Sequence, residues 1–140
     1  MTNEAILRVQ TSLPINFTCA DGTGIEKGAI LALSDPMTAA TAAAAIGKVA
    51  GICAAEKIAN NGQTMVSVYR EGIFDMVASG AIVAGEGVEN SSDATYPNTV
   101  HAHAVNSSGA CFMGTALETA TDGERILIDL HCGVGCNGIA

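Results

Sequence analysis

Turn signals follow one another so closely in this chain that no long element fits between them. Asp21-Gly22-Thr23-Gly24, Ser34-Asp35-Pro36, Asn60-Asn61-Gly62, Ser79-Gly80 and Thr121-Asp122-Gly123 punctuate it. Asn and Gly accept positive φ at little cost, and Pro ends a strand or helix. Glycine makes up 16 of the 140 residues, which favours tight turns over long helices. Between the signals, apolar and polar residues alternate. Ile15, Phe17 and Cys19 alternate with Asn16 and Thr18, and Pro14 suits the start or edge of such a strand. Val66 and Val68 share one face of 64–70, and Ile126, Ile128 and Leu130 one face of 124–131. Strands are further expected over 29–33, 48–56, 73–78, 100–105 and 111–118. Gly51 marks a bulge or close approach in its strand. The Ala-rich stretch 38–46 reads as a loop with one helical turn at most, and 85–99 as loop.

One hairpin pattern occurs twice. Val49-Ala50-Gly51-Ile52, then Asn61-Gly62, then Met65-Val66-Ser67-Val68 is echoed by Phe112-Met113-Gly114-Thr115, Asp122-Gly123 and Ile126-Leu127-Ile128. The expected fold is therefore mainly β: a small compact β-barrel or sandwich of short antiparallel strands with an N-terminal arm. The expected division is an arm with an edge strand over 1–23, a β-barrel domain over 24–131 and a flexible C-terminal tail over 132–140. Ile6, Leu7 and Val9 are apolar without a turn tying them back. A flexible arm that pairs elsewhere fits them, and so does a first barrel strand.

Hydrophobic residues form 49% of the chain, but much of that is Ala and Trp is absent. The core is thus thin, built from Val, Ile, Leu and Met, and contacts between subunits would add buried area. The net charge of −8 opposes nucleic-acid binding, which Lys and Arg drive by displacing counterions from phosphates. No apolar run is long enough for a membrane-spanning helix. The opening Met1-Thr2-Asn3-Glu4 carries no secretory n-region, so synthesis in a reducing cytoplasm without disulfides is expected. Cys19, Cys53 and Cys111 sit in apolar surroundings and read as buried small hydrophobes.

Few residues are grouped for chemistry. His101-Ala102-His103 sets two imidazoles on one strand face, where His131, Cys132 or Cys136 could add a third metal ligand. The spacing from Cys132 to Cys136 is no recognised zinc spacing, and a polar strand face explains the histidines equally. Glu56, Glu71, Asp75, Glu118 and Asp129 fall at strand ends or on solvent faces. Gly85-Glu86-Gly87 lacks the strand, helix and Gly-Lys-Ser/Thr of a phosphate loop. Neither catalysis nor a cofactor is expected.

Ala20-Asp21-Gly22-Thr23-Gly24-Ile25-Glu26-Lys27-Gly28 and Ala50-Gly51-Ile52-Cys53-Ala54-Ala55-Glu56-Lys57 resemble segments of the capsid decoration (cement, head-stabilising) proteins of tailed phages. Tyr69-Arg70-Glu71-Gly72-Ile73-Phe74-Asp75-Met76 is similar to that family's central strand pair. Gly114-Thr115-Ala116-Leu117-Glu118 with Asp122-Gly123-Glu124 is similar to its last hairpin. The resemblance runs from about Phe17 to Leu130; the segment 100–105 and the His-Cys tail fall outside its pattern. It implies a structural protein on the exterior of the virion capsid, made in the host cytoplasm. Its partners would be the major capsid protein and, in a homotrimer, itself, and it would clamp neighbouring capsid subunits. In several such proteins the N-terminal arm becomes ordered on the shell, so Leu7, Val9, Leu13, Ile15 and Phe17 are the candidate contact residues. The alternatives are a glycan-binding adhesion barrel, disfavoured by two Tyr and three Phe, and a small metal-binding protein.

Overall fold

Alternating, turn-bounded segments of this kind bury one face each, and they do so here by closing into two barrels. The computed structural model describes residues 3–42, 48–92, 95–103 and 113–132, and no helix occurs among them. The strands are β1 (Ile6–Val9), β2 (Ile15–Thr18), β3 (Ile30–Ser34), β4 (Thr38–Thr41), β5 (Val49–Cys53) and β6 (Met65–Tyr69). They continue with β7 (Glu71–Ala78), β8 (Gly87–Asn90), β9 (Thr99–Ala102), β10 (Gly114–Ala116) and β11 (Arg125–His131).

The first barrel runs β2-β4-β3-β5-β6 and closes through the antiparallel pairing of β6 with β2. The second runs β7-β11-β10-β8-β9 and closes where β9 lies parallel to β7. The two ladders have the same topology. Each has one parallel pair, β2 with β4 or β7 with β9, and four antiparallel pairs in the same order. Loop bonds repeat as well. Ile25 and Lys57 exchange main-chain hydrogen bonds of 2.9 and 2.7 Å, as Ile82 and Ala120 do at 2.9 Å each. Gly28 N–H donates to Cys53 O at 2.9 Å, and Gly85 N–H to Ala116 O at 2.8 Å. Even the positive φ of Met37 (39°) returns at Asn98 (58°), each just before the strand in the parallel pair.

The echoed hairpin is thus part of a whole barrel used twice. Residues 15–18, assigned to the expected arm, are a strand of the first closed barrel, and residues 24–131 span two barrels rather than one. The Ala-rich stretch opens with a strand, β4, because its small side chains pack beside β3. Its continuation, 43–47, lies outside the described residues. The expected loop 85–99 contains β8, whose Val88 is buried although its neighbours are polar. Gly51 is a bulge, as expected. The register of β3 against β5 shifts between Leu31 and Ala32 beside it, its φ is 145°, and a Cβ there would meet the Tyr69 carbonyl.

One apolar cluster fills the second barrel and extends to Ala5, Ile30, Ala42, Val49 and Ile52, so it also joins the barrels. Phe74 and Tyr69 meet edge-on within it, 5.7 Å between ring centres. A smaller cluster, with Phe17, Cys19, Leu31, Val66 and Val68, fills the first barrel. The expected Val, Ile, Leu and Met core is present, with these few rings added. Ile30 N–H donates to the buried Asn98 Oδ1 at 3.0 Å, a polar tie between the barrels.

Candidate functional site

The N-terminal residues touch the first barrel at Ala5, pair with the second through β1 and then enter the first as β2. Ala5 N–H donates to Gly28 O of the first barrel at 2.8 Å. Then β1 pairs antiparallel with β7, Ile6 opposite Asp75 and Leu7 opposite Phe74. One edge of β7 is taken along its length by β11. On its other edge β9 covers only Val77 and Ala78, and β1 covers 73–75. The outward side of this join is charged. Arg8 reaches Asp75 at 2.8 Å, and Arg125 reaches the same carboxylate at 3.3 Å. Beside β1 lies an open cleft of about 510 Å³, lined in part by Leu7, Lys27, Ile52, Tyr69 and Phe74.

The five candidate contact residues separate into two groups. Phe17 is 2% exposed, inside the first barrel, and Leu7 packs against the larger cluster. Val9, Leu13 and Ile15 are exposed, Leu13 most of all at 76%. Met37 and Met65 join them as exposed apolar side chains near β2, which is opposite Met65 in its ladder and bonded to Met37 O through Thr18 N–H. Sequence periodicity placed Ile15 and Phe17 on one strand face but could not tell which of them lay beyond the end of the core.

His101 and His103 do converge on one face, as expected, and what lies between them is Glu89. Its carboxylate is 2% exposed; Oε1 meets His101 Nε2 at 2.5 Å and Oε2 meets His103 Nδ1 at 2.6 Å. The cross-strand pairing of Glu89 with His101 puts the three side chains together. Sequence reasoning missed Glu89 because it fell in the expected loop. Of the suggested third ligands, His131 faces Glu71 at 3.2 Å, and Cys136 lies outside the described residues. Burial pushes the Cys132 thiol up to about 12, with Arg70 opposing, so it is poorly suited to act as thiolate ligand or nucleophile. Burial likewise raises Cys53. Cys19 and Cys53 are buried and free, as expected, and Cys111 lies outside the described residues. Among the described residues, no group of three His, Cys, Asp or Glu side chains is placed to hold a metal.

A second polar feature was not foreseen. Lys57 is 1% exposed, and its ammonium donates to the carbonyls of Asp21, Thr23 and Ile58 at 2.8, 3.0 and 3.3 Å. It fixes the loop end of the first barrel, where the second barrel has Ala120.

Comparison with known proteins completes the picture. The family model described as phage cement protein matches residues 9–130. Among curated proteins, none matches the chain. Among solved structures, the crystal structure of the head fiber gp8.5 N base in bacteriophage phi29 is similar in fold. The TM-score is 0.52 at 16% identity, over 84% of this chain and 94% of that one.

Proposed function

Because the chain belongs to the phage cement protein family, we propose that it binds the outside of an assembled capsid and stabilises the shell by clamping neighbouring subunits. The observation that carries this reading is the family match, which spans both barrels and the connection into them. That the chain is a structural, capsid-associated phage protein follows from the family; the exterior position, the major capsid protein as direct partner and the homotrimer are the proposal's own. Of the five candidate contact residues, Val9, Leu13 and Ile15 are the exposed ones available to that partner.

The physics suits the role. A ligand that binds only the assembled shell stabilises it by mass action, by about 3 kcal/mol at a hundredfold excess over Kd. A trimer would engage several capsid subunits at once, multiplying modest contacts. The small core of each barrel, built of Val, Ile, Leu and Met with alanines among them, favours an oligomer, which would bury further apolar surface.

The experiment is co-sedimentation with expanded shells made without this protein, alongside its solution mass by light scattering. A trimer that sediments with the shells is the expected result. A protein that stays in the supernatant at saturating concentration overturns the proposal.

A further inference from the structure

The duplicated topology exposes an asymmetry. In the second barrel, β9 leaves part of the β7 edge bare, and β1 fills it. In the first barrel, β4 touches the equivalent edge of β2 at one position only, Thr18 opposite Thr38. The remainder, 15–17, is paired on its other side by β6 and by no strand on this one among the described residues. Matching Thr38 with Thr99, each following a positive-φ residue, sets Thr18 against Val77 and Asn16 against Asp75. Asp75 is the residue opposite Ile6 of β1.

The direction of the main-chain groups follows from alternation. Thr18 N–H points to the β4 side, to Met37 O at 2.9 Å, while Cys19 N–H points to the other side, to Thr64 O at 2.9 Å. Asn16 therefore turns its N–H and C=O to the bare side. Pro14 turns only a carbonyl there, having no N–H to leave unmet.

We propose that this β2 edge is a vacant strand slot, and that an extended, apolar-alternating segment of a capsid subunit fills it as β1 fills the slot on β7. The inference rests on the capsid-binding reading above. Three observations select the occupant. The slot's surroundings are apolar: Leu13, Ile15 and Met37 are exposed around it. It is also unguarded by charge. Free edges are commonly protected by charged side chains, as Arg8 and Asp75 do at the filled slot, but β2 (Ile15-Asn16-Phe17-Thr18) and its neighbour β6 carry none. Finally, a second copy has no spare strand among its described residues. Its β1 already lies on its own β7, and every other strand belongs to a closed barrel. Main-chain bonds would supply affinity and alternate side chains the specificity.

The test uses the full chain and expanded shells made without it. Asn16→Pro removes the outward N–H and leaves the β2–β6 main-chain bonds, which the neighbouring residues make, giving up only the exposed contact of Ser67 Oγ with Asn16 Oδ1 at 3.2 Å. It should fold with an unchanged circular dichroism spectrum and bind shells about tenfold more weakly. Leu13→Lys combined with Met37→Lys, both at exposed positions, should weaken binding in the same direction without relying on the proline. On the unaltered protein, the Asn16 amide should gain hydrogen-exchange protection when shells are added. Full-strength binding by both variants, or unchanged exchange at Asn16 while the protein is shell-bound, overturns the slot and leaves the capsid reading standing. Asn16→Pro dissociating an oligomer of the free protein would make the occupant a second copy and overturn the capsid strand. If the unaltered protein ignores shells, the capsid reading itself falls, and the slot proposal with it.

Discussion

Single residues hold this fold at points where they have no substitute. The Lys57 ammonium is buried against three carbonyls, so Lys57→Ala would leave those acceptors without their donor. A loss of about 2–4 kcal/mol in urea unfolding is expected. Gly114 lies so close to the Asp129 carbonyl that an added Cβ would collide with backbone. Gly114→Ala should cost about 1–3 kcal/mol or more by the same measurement. The Glu124 carboxylate accepts the Thr121 N–H at 2.8 Å, which holds it below its ordinary value of 4.5. Its contribution is present above that value and is lost as pH falls through the lower folded one. Glu124→Gln should therefore lower the melting temperature slightly near neutrality and not at all in strong acid. Cys132 behaves in the opposite sense. Its raised value keeps the folded thiol neutral while the unfolded one ionises above 9.0, so stability falls as pH climbs from there towards about 12. Cys132→Ala should remove part of that alkaline loss in pH-dependent unfolding. Lys57 and Glu89 were beyond reach in the sequence, because long-range carbonyls and a cross-strand pair select them, and neither leaves a local pattern.

Most strands were legible because each one alternates and is bounded by Asn, Asp, Gly or Pro. The exceptions have physical reasons. β4 reads Thr-Ala-Ala-Thr; its two alanines and the alanines after them favour helix, and its place beside β3 outweighs that propensity. β8 reads Gly-Val-Glu-Asn, with a single apolar residue to mark it, and it is the pairing with β9 and β10 that makes it a strand. The hairpin echo was visible since glycine and turn residues recur in step. The full duplication was hidden by divergence in β3, β4, β8 and β9. For β1, the sequence left arm and barrel strand equally open, and the structure joins it to β7. Removing residues 1–10 would therefore do more than shorten an arm. It should uncover Phe74 and lower the stability of the second barrel, seen as a drop in melting temperature before any shell is added. Loss of shell binding in such a truncation is informative only beside that measurement.

At the scale of the molecule, two barrels of one topology share a core, and capsid association rests on family membership rather than on any catalytic grouping. Occupied shells should withstand a higher temperature than bare ones, and the gain should grow with the logarithm of free protein, as light scattering of heated shells would show. The crossing of the first strand also imposes an order in time. As the chain leaves the ribosome, Ile6, Leu7 and Val9 emerge before β2 to β11, yet their partner residues 73–75 are made only after the whole first barrel. The first barrel can close while its leader is still unattached, and the growing chain must carry that apolar leader until β7 arrives. Capturing it then adds a late tie to the shared core and the Ile30–Asn98 bond that already join the two barrels.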